Sequence, residues 1–120
     1  KLRSKDTVRE HMISHTALRE FLRKNKEEKM VVFTHHAPHI NMVHERYRYG
    51  DDVLNHAYYT DQTELMAEND NLLAWISGHT HASIETEVFG TKTQSRTLGY
   101  YNHEISIDDL RSFKPGIITL

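Results

Sequence analysis

Two short apolar runs constrain this chain more than any other feature. MVVFT at Met30–Thr34 and LLAWIS at Leu72–Ser77 are aliphatic, β-branched and aromatic; polar or charged residues precede each, and a histidine-bearing turn follows each. Runs of this length without polar alternation fit strands buried in a mainly parallel sheet. Helical patterns precede both. From Ser4 to Asn25, Val8, Met12, Leu18 and Leu22 form an apolar stripe widened by Ala17 and Phe21, with Arg9, Glu10, Arg19, Arg23 and Lys24 on the opposite face. Asp61 followed by Glu64 has the spacing of a capping box and predicts a second helix from about Thr60 to Glu68. Helix and strand in alternation give an α/β fold.

The remaining segments complete the outline. Pro38 to Tyr59 has no sustained periodicity, a turn signal at Gly50–Asp52 and four tyrosines, Tyr47, Tyr49, Tyr58 and Tyr59. It reads as a long loop with one helical turn, and its aromatic content argues against disorder. Ile84, Thr86 and Val88 alternate with Glu85 and Glu87 before Gly90, which predicts an antiparallel pair over 83–98. FKPGIITL predicts a closing strand after Pro115 and Gly116. At 120 residues the chain is expected to form a single unit. Its 15 Lys and Arg against 17 Asp and Glu create no long-range field toward nucleic acid or an anionic membrane. Cysteine is absent, which removes disulfides and thiolate ligands. No apolar stretch reaches membrane-spanning length and no signal-peptide pattern is present, so a cytoplasmic location without membrane contact is expected.

Histidine is the outlier, with 10 residues. Half of them fall in two windows, VVFTHHAPH (Val31–His39) and WISGHTHAS (Trp75–Ser83). In open α/β sheets ligands collect beyond the carboxyl ends of the strands, and both windows deliver imidazoles to that edge. Neutral imidazole is a common transition-metal ligand. Gly78 is expected to let the backbone turn closely under such a site. His79 and His81, two residues apart, would share a face if extended, whereas a kink at Gly78 would aim them at two separate ions. One such pair alone is more often surface decoration than a ligand set. Two windows, each closing a strand, favour metal.

VVFTHHAP followed some forty residues later by WISGHTH resembles the last two motifs of the calcineurin-like metallophosphoesterases, a strand ending in a ligand histidine and then Gly-His-x-His. GTKTQSRTLGYYNHE and FKPGIITL are similar to the two-strand segment, Gly-Tyr turn and closing strand near the C-terminus of compact members. The resemblance implies the C-terminal half of a four-layer αββα sandwich with mixed sheets. It implies His35 and His79 as ligands of one metal ion and His81 as a ligand of another, and puts His39 and His44 in the loop that shapes the substrate pocket; His36 has no assigned ligand role in the family pattern and is expected to support the ligands or contact the substrate. The cofactors implied are two divalent ions, manganese, iron or zinc. The activity implied is hydrolysis of a phosphomonoester or phosphodiester, with nucleotide or nucleic acid entering only as substrate.

Three upstream motifs of that family, Asp-x-His, Gly-Asp-x-x-Asp and Gly-Asn-His-Glu, have no counterpart ahead of Val31. The expectation is therefore a segment inactive alone, completed by an N-terminal half or a complementing chain. YNHE at Tyr101–Glu104 follows Gly-His-x-His and lacks the glycine and strand context, so it reads as coincidence. His11, His15, His56 and His103 are expected to be structural. The alternatives are a non-catalytic interaction or regulatory module retaining part of the metal site, and a three-histidine site on a small β-barrel. The order of helices and strands argues against the barrel.

Overall fold

The computed structural model describes residues 3–48, 55–100 and 103–120. The expected turn at Gly50–Asp52, together with Tyr49 and Tyr101, falls outside them. Helix α1 spans Ser4–Lys24, and strand β1 spans Met30–Thr34. A 3-10 turn at Ile40–Met42 and a short helix α2, Glu45–Arg48, follow. Helix α3 is Thr63–Glu68, and strands β2, β3 and β4 are Leu72–Ser77, Ile84–Val88 and Thr91–Ser95. Helix α4 is Ile107–Ser112.

The strands form one mixed open sheet in the order β1-β2-β4-β3. β1 and β4 flank β2 in parallel, and β3 pairs antiparallel with β4. The architecture is thus α/β, a four-stranded sheet with helices. Val32 lies opposite Trp75, and the two share a sheet face because paired residues point the same way. On that face Leu22 of α1 and Leu65 and Met66 of α3 join Val32, Trp75, Leu72 and Val88 in the core. Trp75 is 1% exposed. Its indole Nε1 donates to Thr34 Oγ1 at 2.8 Å, which satisfies a donor that would otherwise be buried unpaired.

Five expectations need correction. The apolar stripe of α1 is mostly uncovered. Leu22 is buried and Leu18 partly so, but Met12 is 63% exposed, and Val8 and Phe21 are exposed as well. β1 is not buried on both faces, because it is a sheet edge and the helices cover one side; Phe33 is 71% exposed, and Val31 beside it is exposed too. Helix α3 begins later than expected, with Gln62 at its N-cap. Asp61 Oδ1 accepts from the Thr63 amide at 2.9 Å, and Glu64 turns to Arg19 of α1, with Nη2 to Oε2 at 2.5 Å, instead of closing a capping box. The tail forms no closing strand: residues 113–120 have no regular structure and run beside β3 and β4. There Lys92 Nζ donates to the Thr119 carbonyl and Arg96 Nε to that of Lys114.

The hairpin matches its expectation more narrowly, with Phe89 and Gly90 as the two turn residues at φ 49 and 82. Two central residues with positive φ give the turn whose twist suits a two-residue hairpin. Among the described residues no helix is long and apolar enough to cross a membrane.

Candidate functional site

Thr34 pairs with Ser77, so β1 and β2 end level and their following residues emerge at the same rim. The Gly78 amide donates to the His35 carbonyl at 3.1 Å, continuing the contact past the strands. Thr34 Oγ1, which accepts from Trp75, donates in turn to the His36 carbonyl at 2.7 Å and holds the turn after β1. At this rim His35 Nε2 and His79 Nδ1 lie 3.1 Å apart. His36 joins them, its ring centre 5.3 Å from that of His35 and 4.5 Å from that of His79. The long loop returns over the group. Ala37 bridges to Tyr59, its amide donating to the Tyr58 carbonyl at 3.2 Å, and the Tyr58 ring centre stands 5.8 Å from that of His79.

The kink falls on His79 rather than on Gly78. His79 has φ 31, in the left-handed region where a Cβ crowds the backbone. Gly78 has no positive φ, and a Cβ built on it would meet His35 Nδ1 at 3.6 Å and the His35 carbonyl oxygen at 3.8 Å, both ordinary contacts. The expected steric need for glycine at 78 is therefore absent. The strain sits on the histidine itself.

His81 takes other partners. Its Nδ1 is 2.6 Å from Glu104 Oε2, and its ring stands edge-on to Tyr100 with centres 4.5 Å apart. Glu104 also accepts from the Tyr100 amide at 2.9 Å. That amide bond and then the bond to His81 hold its carboxyl below the usual carboxylate range. The glutamate of YNHE, a motif whose order and context point to coincidence, thus contacts a histidine of Gly-His-x-His. The His103 amide donates to the Tyr100 carbonyl at 3.2 Å.

The other candidates make local bonds. His39 Nδ1 accepts from the Asn41 amide at 3.1 Å and caps the 3-10 turn; His44 Nδ1 accepts from the Arg46 amide at 3.2 Å. His11 and His15 on α1, with ring centres 5.9 Å apart, line a cleft that faces Asp61. The His36 pKa is lowered by its partial burial first, then by His79, His35 and His11. That ring therefore stays neutral to lower pH than an ordinary histidine, in the protonation state a metal requires.

Two nitrogen donors on one ion, each at 2.0–2.1 Å, lie roughly 3 Å from each other. The His35–His79 separation meets this, and it equally fits an N–H···N hydrogen bond. Among the described residues no group of three or more His, Cys, Asp or Glu is arranged to hold a metal ion. The described side chains thus offer a two-donor edge, without the carboxylate that would offset a divalent charge. Set against protein-family profiles, curated proteins and solved structures, the chain matches none.

Proposed function

We propose that the chain is the histidine-bearing part of a metal-dependent phosphoesterase that hydrolyses a phosphomonoester or phosphodiester. In this reading His35 and His79 share one divalent ion, His81 reaches a second, and the acidic ligands come from sequence outside residues 1–120. The complete domain would be the four-layer αββα sandwich that the motifs resemble. The observation that carries the proposal is the 3.1 Å approach of His35 Nε2 and His79 Nδ1 beyond the carboxyl ends of two adjacent parallel strands. In such a centre two ions about 3.5–4 Å apart supply an activated water and charge neutralisation at phosphorus. The chain's own contribution is to orient imidazoles, keep His36 neutral and overhang the rim with Tyr58. Manganese, iron and zinc all accept imidazole, and the missing carboxylates would decide among them.

Titration of the chain with zinc or manganese at neutral pH, followed by calorimetry, tests the ligand assignment. His35→Ala and His79→Ala should each weaken binding about tenfold or more, and His103→Ala should leave it unchanged. Equal affinity across all three overturns the assignment. Residues 1–120 alone should not turn over an aryl phosphodiester with manganese, and robust turnover would refute the need for outside ligands.

A second reading, a non-catalytic interaction module with a partial metal site, draws on the exposed Val31 and Phe33 side of β1. Adding a segment that carries Asp-x-His and Gly-Asn-His-Glu separates the two. Recovered hydrolysis supports the enzyme; tight association without hydrolysis supports the module.

A further inference from the structure

We propose that Glu104 is the positioning residue for His81, fixing the ring as its Nδ1–H tautomer so that the Nε2 lone pair is left free for a divalent transition ion. The inference rests on the metal reading above only for what that lone pair binds. The tautomer itself follows from the contacts.

An ionised carboxylate is an acceptor only, so at 2.6 Å from Glu104 Oε2 the His81 Nδ1 must be the donor. A neutral imidazole protonated there carries its lone pair on the other nitrogen. Three features among the described residues near Glu104 hold the carboxylate in place. The same Oε2 accepts from the Tyr100 amide at 2.9 Å. The amides of Glu104 and Ile105 both donate to the Tyr100 carbonyl, at 2.9 and 3.3 Å, and tie the backbone of the glutamate to Tyr100. Gly99 has φ 81, and a Cβ added to it would sit 2.5 Å from Glu104 Oε2, so the carboxylate occupies space that only glycine leaves. The Tyr100 ring, at 74° to the imidazole, limits its rotation from one side.

The side chains of His81 and Glu104 are 29% and 43% exposed, so this bond adds little to stability in water. Its effect is directional. Metal-ligating histidines commonly donate their second N–H to a carboxylate, and losing that partner lowers metal affinity roughly 10–100-fold.

Long-range nitrogen-15 NMR on the metal-free chain, at a pH of about 8.5 and so above the ordinary imidazole range, reads the tautomer directly. The expected wild-type pattern for His81 is a protonated Nδ1 and a bare Nε2. Glu104→Ala should move the ring toward the Nε2–H form, with the His35 and His79 signals unchanged, and should weaken zinc binding roughly 10–100-fold once the segment carrying Asp-x-His and Gly-Asn-His-Glu is added. Glu104→Gln, whose amide oxygen can still accept, should keep the tautomer and most of the affinity. A wild-type His81 found as the Nε2–H form overturns the inference with no variant needed, and so does a Glu104→Ala spectrum identical to wild type. With that segment present, zinc affinity indifferent to His81→Ala would overturn the metal reading, while a Glu104-dependent tautomer in the metal-free chain would still uphold the positioning role.

Discussion

His79 meets His35 at the rim on a backbone angle that few non-glycine residues adopt. A left-handed conformation costs an L-residue roughly 1–2 kcal/mol, and such strain tends to gather where geometry matters for binding. Comparing two truncations isolates it. His79→Gly and His79→Ala both remove the imidazole, but only glycine relaxes the backbone, so His79→Gly should be the more stable by about 1 kcal/mol in urea unfolding. Equal midpoints would show that no strain is stored there. The meeting of His35 with His79 was legible in the sequence because each follows a strand-like run and adjacent strand ends share a rim. The contact of His81 with Glu104 was not, since it joins residues 23 apart through a turn without periodic pattern. The place of the kink was equally hidden, because glycine next to histidine draws the expectation of a turn to itself.

At the level of elements, the start of α3 has a titratable anchor. Asp61 has a lowered pKa, first from the Thr63 hydroxyl and then from the Thr63 amide, both of which bond its carboxylate. A carboxyl depressed in the folded state adds stability above its unfolded value, near 3.9, and loses it as pH falls through the lower folded value. Stability should therefore decline below about pH 4 in the wild type, and Asp61→Asn should flatten that part of the profile; parallel profiles would remove Asp61 as the cause. The sequence indicated a cap here, but Glu64 found a guanidinium on α1 instead of its own helix end, a choice only tertiary approach decides. Helix α4 was missed although its signal was present. Ser106 and Asp109 form a reciprocal capping box, the Asp109 amide donating to Ser106 Oγ at 3.2 Å and the Ser106 amide to Asp109 Oδ2 at 2.7 Å. The closing strand failed for a different reason. The Lys114 and Thr119 carbonyls of the tail accept from the side chains of Arg96 and Lys92 rather than from a strand backbone.

Across the whole molecule the two sheet faces are unequal. α1 and α3 cover one, while on the other, among the described residues, the tail runs beside β3 and β4 and Val31 and Phe33 stay exposed on an edge strand. An apolar open edge invites pairing with another chain, and a lysine there discourages it. Phe33→Lys should reduce concentration-dependent association in sedimentation without lowering the unfolding midpoint, whereas unchanged association would place the sticky surface elsewhere. The α/β class could be inferred from the sequence; which faces stay uncovered could not, because a stripe such as Met12 with Phe21 looks the same whether or not anything packs on it. The bond from the Trp75 indole to Thr34 reaches further than its own burial. Side chains alternate along a strand, so sliding β1 by one residue against β2 would swing His35 to the wrong side of the sheet. The indole thus works as an alignment pin, and damage deep in the hydrophobic layer would be felt first as misaligned imidazoles at the far end.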